Sequence, residues 1–159
     1  MLGVRSPYDP GFPARARAIG GDFRRSDRLW LFDPRRIDEV RALLMEFYGT
    51  DGERSDVLIT AELDVSRFGH TKGHNEVWFA RRRIAWRPGR DERVRFHYDV
   101  SLVSGGFASQ GGTVKYPALS PLPGTVLKIR DIPRTLLKEE ERVGWWKPAG
   151  TSGAPAHTA

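Results

Sequence analysis

The sequence predicts an α+β protein in which a helix-containing N-terminal module precedes a mostly antiparallel β-sheet or small open barrel. Two periodicities indicate this order. Apolar residues first recur at spacings of three and four, which is typical of one buried helix face: Ile37, Val40, Leu43, Leu44 and Phe47. After the turn residues 49–52 the period becomes two, as in half-buried strands. We therefore predict the module at residues 1–49, a β-rich region at 50–146 and a disordered tail at 147–159.

The N-terminal module is predicted to run strand, helix, hairpin, helix. The first strand, the first helix and the two hairpin arms are expected at residues 2–5, 10–19, 22–25 and 28–32. Ser26 and Asp27 between the arms suit a two-residue turn. Asp33 stands where a helix N-cap belongs, and Pro34 suits the first helical position because its missing N–H costs nothing there. Gly49 then ends the helix.

Three segments of this module resemble a known family. They are Phe23-Arg24 in the first arm, Arg28-Leu29-Trp30-Leu31-Phe32 in the second arm, and Val40-Arg41-Ala42-Leu43 in the helix. Their order is similar to that of the HARP domain, a small DNA-binding module of annealing helicases. The resemblance covers residues 1–49 and departs from the family at Gly21 and Asp22, where the family tends to be basic. It implies nucleic-acid contact by the hairpin, and nothing about ATP hydrolysis, because no helicase motor pattern follows.

The β-rich region contains four alternating segments and one charged segment. We predict strands at residues 57–65, 77–86, 94–102 and 125–132, and a short helix at 135–143. The glycine-rich residues 105–112 lie between two strands and lack the spacing of phosphate-binding or dinucleotide-binding loops. We therefore expect a flexible hairpin loop or a bulged connection there.

Charge is the strongest compositional feature. The chain has 26 lysine and arginine residues against 20 aspartate and glutamate residues, a formal net charge of +6 and a pI near 10.1. This excess favours a polyanionic partner, above all nucleic acid. Most of the basic residues are arginines, which suit bidentate phosphate contacts. A GC-rich genome would produce the same bias.

Other classes are excluded or disfavoured by what the sequence lacks. Without cysteine there can be no disulfide, thiolate metal site or cysteine nucleophile. No apolar run approaches the roughly 20 residues of a spanning helix, and no signal-peptide pattern is present. We therefore expect a cytoplasmic protein with no membrane partner.

Two groups of residues are candidates for nucleic-acid binding. The hairpin and the start of the following helix present the first group, and the predicted strand at 77–86 presents the second, where arginines alternate with aromatic rings that could stack on bases. The candidates are Arg24, Arg25, Arg28 and Arg35, and then Arg81, Arg83 and Trp86. If residues 77–86 form one continuous β-strand, Arg81 and Arg83 share one face of it. The alternative is that these arginines are a solvated surface and a charged strand edge.

Catalysis and cofactor binding are not predicted. His70 and His74 lie in a loop without the helical spacing that makes paired histidines a metal site. No nucleophile-elbow pattern is present, and the available carboxylates are no more numerous than in any chain of this length. We therefore expect no catalytic residues, no cofactor and no metal site.

Two functional hypotheses follow. The first is a non-catalytic accessory protein that binds nucleic acid, with DNA favoured, through the arginine-rich hairpin. The second is a small inhibitor or adaptor of phage or plasmid origin that binds a protein. In that hypothesis Trp145 and Trp146 anchor the partner, although they could equally cap the core.

Overall fold

The computed structural model describes residues 1–52, 58–140 and 144–149. Its strands are β1 (Leu2–Val4), β2 (Asp22–Arg24), β3 (Leu29–Phe32), β4 (Leu58–Asp64), β5 (Glu76–Phe79), β6 (Arg82–Trp86), β7 (Arg95–Phe96), β8 (Val100–Ser104), β9 (Val126–Pro133) and β10 (Trp146–Pro148). Its α-helices are α1 (Phe12–Ala18), α2 (Ile37–Tyr48) and α3 (Arg134–Glu140). The predicted α+β class is confirmed. The described strands form three antiparallel sheets rather than a closed barrel, and none of the described helices is long and apolar enough to cross a membrane.

The N-terminal module has the predicted order, with one change in the hairpin. Its sheet has the order β1-β3-β2. The pair nearest the turn joins Arg24, the last residue of β2, to Leu29, the first residue of β3. The turn therefore contains residues 25–28, four residues instead of the predicted two. Arg28, expected to open the second arm, lies in the turn with φ of +55°. This left-handed conformation removes it from the strand.

The entry to the main helix is also as the sequence indicates, with a tighter first turn. Asp33 accepts a hydrogen bond from the backbone N–H of Arg35 at 2.9 Å. Pro34–Arg36 form a short 3-10 helix that leads into α2. Gly49, with φ of +67°, ends α2 in the left-handed conformation. Of the predicted stripe, Val40, Leu43 and Leu44 are buried in the first hydrophobic core and Phe47 packs against it, whereas Ile37 is 37 % exposed at the start of the helix. The other buried residues of this core are Phe12, Ala16, Trp30, Phe32 and Tyr48.

A four-stranded sheet of order β10-β4-β9-β8 holds the second and larger core. Strand β4 agrees with the prediction from residue 58 onward, while Val57 lies outside the described residues. Lys147 and Pro148, assigned to the tail from the sequence, instead pair with Glu62 and Ala61 of β4. The rest of the predicted tail from residue 150, and the predicted helix end at 141–143, fall outside the described residues.

The predicted strand at residues 77–86 is wrong, because the chain reverses in its middle. It forms the hairpin β5–β6, with Ala80 and Arg81 as the turn, at φ of +47° and +60°. Neither residue type favours that conformation. Contacts from α3 compensate: the backbone N–H of Ala80 donates to Glu140, and the guanidinium of Arg81 pairs with Glu139.

The alternating segment at residues 94–102 is likewise not one strand. Its first part forms β7, in the sheet of order β5-β6-β7, and its last part forms β8, in the four-stranded sheet. Between them, His97 and Asp99 are buried and bonded to each other. The chain crosses between sheets at this point, so the alternation of residue types continues while the strand does not.

The glycine-rich connection between β8 and β9 is arranged around Arg87, which is only 1 % exposed. The Arg87 guanidinium donates to the backbone carbonyls of Glu92 at 2.6 Å, Ala108 at 2.6 Å and Leu119 at 3.0 Å. Burial lowers the pKa of this guanidinium. The connection that is predicted to be flexible is therefore hydrogen-bonded to a buried cation, Arg87, which directly follows β6.

Candidate nucleic-acid interface

A cleft of about 790 Å³ lies between the N-terminal module and the sheet β5-β6-β7. One wall comes from the segment before α1 and from the hairpin, and includes Tyr8, Phe23 and Arg28. The other comes from the end of β6 and the segment that leaves β7, and includes Trp86, Phe96 and Tyr98. We call this site the aromatic cleft. It is the place where the two halves of the chain present aromatic and cationic groups to a common space.

Three rings of the aromatic cleft are open to solvent. Tyr8 is 52 % exposed, Phe23 is 38 % exposed and Tyr98 is 69 % exposed. Each also contacts a neighbour: Phe23 lies 5.2 Å from Trp30, Tyr98 lies 4.3 Å from His97, and Tyr8 lies against a guanidinium described below. Single exposed apolar residues are common on any protein surface. Several exposed aromatic rings on one concave surface are instead typical of a binding site.

Arg83 connects the two walls. Its guanidinium carbon is 4.1 Å from the ring centre of Trp86 and 4.4 Å from that of Tyr8, both well within cation–π range. It also lies 3.5 Å from the carboxylate of Glu76. Arg83 is one of the residues predicted to bind nucleic acid, but in the structure its guanidinium holds the rings of Trp86 and Tyr8 in position.

Cations without a carboxylate partner lie in the aromatic cleft or in the hairpin turn next to it. Within the described part of the chain, Arg5, Arg17, Arg25 and Arg28 form no salt bridge. Arg28 is exposed at the end of the hairpin turn and lines the cleft. Arg5 donates to the backbone carbonyl of Asp27 at 3.4 Å, and the guanidinium of Arg17 lies 5.5 Å from the Trp30 ring centre. Their positive charge remains available to an anionic ligand.

Two predicted arginines are already neutralised by neighbours in sequence. Arg24 donates to both carboxylate oxygens of Asp27, and this hydrogen bond lowers the Asp27 pKa. Arg35 pairs with Asp33 at 2.6 Å and, with its backbone N–H, lowers the pKa of Asp33 to about 2. The hairpin therefore brings Arg24, Arg25 and Arg28 together, but only the latter two carry unpaired charge.

Arg81 belongs to a different contact. Its Nη1 donates to the backbone carbonyl of Glu46 at 2.8 Å, and its Nη2 pairs with the Glu139 carboxylate at 2.7 Å. The side chain thus ties the β5–β6 turn to α2 and α3. The expectation that Arg81 and Arg83 share one strand face is wrong, because Arg81 is in the turn.

Trp145 and Trp146 pack on the larger core. The Trp145 ring lies 4.5 Å from Phe68 and 5.4 Å from Phe79. The Nε1–H of Trp146 donates to the backbone carbonyl of Glu140 at 2.9 Å. Both side chains are half-buried.

No family model, no curated protein and no solved structure matches the chain. The resemblance to the HARP domain therefore remains a prediction that rests on the residues of the hairpin and α2.

A buried ionic group lies directly behind the cleft. Asp99 bonds to the Nδ1 of His97 and to the guanidinium of Arg82, which also donates to the backbone carbonyl of Asp131. Burial acts to raise the pKa of Asp99, but the hydrogen bond and charge of His97 and the charge of Arg82 outweigh it and lower the pKa. His97 is itself a cleft residue. Among the described residues, no three histidine or carboxylate side chains are grouped so that they could hold a metal ion.

Sequence reasoning missed most of the cleft. Of the exposed rings, Tyr8 lies in a loop, Phe23 lies in a hairpin arm, and Tyr98 lies where the alternating pattern predicts a strand that the structure interrupts. They are separated by up to ninety residues, so no local spacing links them. The usable signal was the density of aromatic and arginine residues, which did point to Arg83 and Trp86.

Proposed function

We propose that this protein binds nucleic acid through the hairpin turn and the aromatic cleft. The observation that carries the proposal is the juxtaposition of exposed rings with arginines that form no salt bridge to any described residue. Arg28 lines the same cleft as the rings, and Arg25 lies in the hairpin turn that leads to it. Guanidinium groups without a carboxylate partner form strong charge-assisted hydrogen bonds with phosphate. The excess of positive charge over the whole chain supports the same partner.

The proposed mode of binding is contact with the phosphate backbone, with DNA as the first nucleic acid to test. Phosphate contacts position a protein on nucleic acid without reading the base sequence. We therefore assign no sequence preference to the hairpin. The resemblance of the hairpin to the HARP domain agrees with this proposal. A non-catalytic accessory role remains part of it.

The alternative protein-binding hypothesis receives less support. It depended on Trp145 and Trp146 as anchors for a partner, and interface anchors need ring area that can be buried on binding. Both tryptophans already contact Phe79 in the larger core. We therefore do not put forward an inhibitor or adaptor role.

The test is a salt series with fluorescently labelled single- and double-stranded oligonucleotides. Affinity should fall as salt rises, with a log–log slope of about 0.7 to 0.9 for each phosphate contacted. In the variant R25A/R28A we expect the slope to fall by up to about 2 and low-salt affinity to be largely lost.

The matched control is R67A/R134A, which removes the same charge from two exposed arginines that form no salt bridge among the described residues and do not line the cleft. It should keep most of the wild-type affinity. Absence of binding at low salt, or equal losses in the two folded double variants, would contradict the proposal. Thermal unfolding of each variant establishes that it is folded.

A further inference from the structure

We infer that the aromatic cleft takes single-stranded nucleic acid, with unpaired bases stacked on Tyr8, Phe23 and Tyr98. This inference rests on the proposed function and specifies its ligand. Phosphate contacts alone do not distinguish single-stranded from double-stranded nucleic acid. The exposed rings do.

The rings matter because base faces are accessible only in an unpaired strand. In a duplex the bases stack on one another and present only their edges in the grooves. An unpaired strand presents the faces, and protein rings can then stack on successive bases without regard to sequence. A duplex could use Arg25 and Arg28, but it would leave these three rings without a partner.

The rings are held in place before a ligand arrives. Phe23 packs on Trp30, which is buried, while Tyr98 packs on His97, whose ring is fixed by Asp99. Tyr8 packs on the guanidinium of Arg83. A ring that is already immobilised loses little conformational entropy when a base stacks on it.

Charge and size fit the same ligand. The cleft is lined by three arginines and two carboxylates, so the phosphates that link stacked bases would meet a net positive charge: Arg5, Arg17 and Arg28 against Asp9 and Asp27. The volume of about 790 Å³ lies within the range of about 300 to 1,000 Å³ of pockets that enclose drug-sized molecules. Such a space accepts bases and linking phosphates, whereas a double helix could only lie across its mouth.

The experiment compares one oligonucleotide sequence in single-stranded and duplex form, with wild type and with Y8L, F23L and Y98L, singly and combined. Leucine keeps apolar bulk and removes the ring. We expect wild type to bind the single strand at least tenfold more tightly than the duplex. Each substitution should weaken single-strand binding by about tenfold, within the range that stacking of one base spans, and leave duplex binding unchanged.

Three controls separate stacking from charge and from misfolding. Y116L removes a tyrosine that is 50 % exposed outside the cleft and should have no effect. Y98F keeps the ring and should bind like wild type. Because Tyr98 is so exposed, Y98L alone tests the inference should the combined variant fail to fold. Heparin, a polyanion without bases, should compete poorly with the single strand.

The failures are distinguishable. Equal affinity for both forms, or unchanged single-strand affinity in folded ring variants, would overturn this inference and leave the phosphate-binding proposal intact. Competition by heparin equal to that by the unlabelled single strand would have the same meaning. Absence of binding to either form would overturn both.

Discussion

The guanidinium of Arg82 lies 2.5 Å from the carboxylate of Asp99, and both side chains are largely buried. The pair joins β6 to the segment between β7 and β8, where the chain crosses from one sheet to the other. Removal of one partner from a buried pair leaves an uncompensated charge. For D99N at neutral pH we therefore expect a loss of about 3 kcal/mol in the free energy of unfolding, measured by urea denaturation.

The same variant predicts a change in acid stability. The pKa of Asp99 is lower in the folded chain than its ordinary value. Its contribution to stability is therefore complete above the unfolded pKa, near 3.9, and is lost as pH falls through the folded pKa. D99N should flatten this part of the stability–pH curve. D91N removes the exposed partner of Arg90 and should cost much less stability than D99N, because solvent screens an exposed ion pair. An equal cost in the two variants would contradict a special contribution of the buried Arg82–Asp99 pair.

Tyr48 predicts a loss of stability at alkaline pH. Burial raises its pKa to about 12, and its hydroxyl donates to the backbone carbonyl of Pro7 at 2.9 Å. The neutral phenol therefore stabilises the fold up to the unfolded pKa near 10, and this contribution is lost between that pH and 12. Urea denaturation should show a fall on the order of 2 kcal/mol across this interval in wild type. The fall should be smaller in Y48F, while Y116F, at an exposed position, should behave like wild type.

Arg28 offers a variant in which stability and binding change in opposite directions. Its φ of +55° costs an L-residue about 1–2 kcal/mol, and glycine avoids that cost while losing part of it to chain entropy. R28G should therefore be more stable by about 0.5–1 kcal/mol and bind nucleic acid more weakly.

The matched variant is R25G, in the same turn but outside the left-handed region. It removes the same charge and should be less stable than wild type by about 0.5 kcal/mol. Thermal unfolding and oligonucleotide titration of both proteins provide the comparison. A destabilised R28G would show that its backbone conformation is not the one described.

Gly49 marks the contact between the two halves of the chain. A Cβ at this position would clash with the side chain of Leu136 in α3, whereas one at Gly52 would meet nothing within 4 Å. Both glycines have positive φ, so alanine strains the backbone at either position. G49A should exceed G52A in cost by about 1 kcal/mol or more, measured by urea denaturation. Equal costs would show that α3 yields freely at this contact.

The parts of the fold that the sequence predicted correctly are those with local causes. Asp33 and Pro34 begin the helical segment, Gly49 ends it, and the apolar stripe of α2 faces the first core. Each depends on residues within a turn or two, so the chain needs no distant contact to specify them.

The errors have distant causes. Ala80 and Arg81 form a turn without a turn-favouring residue type, and glutamates from α3 stabilise it. The interruption at His97–Asp99 depends on Arg82, which is contributed by another strand. The aromatic cleft combines segments from both halves of the chain. Its rings could be counted from the sequence, but their convergence depends on how the two cores meet.

Because of Arg87, the connection between β8 and β9 needs no bound metal ion to hold it in place. In many proteins, carbonyl oxygens of a long loop converge on a bound calcium ion, and removal of the ion releases the loop. Here the carbonyls converge on a guanidinium that is covalently part of the chain and stays protonated at any physiological pH. The connection is therefore held by a cation from another part of the same chain, one that a chelator cannot extract and that does not depend on the concentration of any ion.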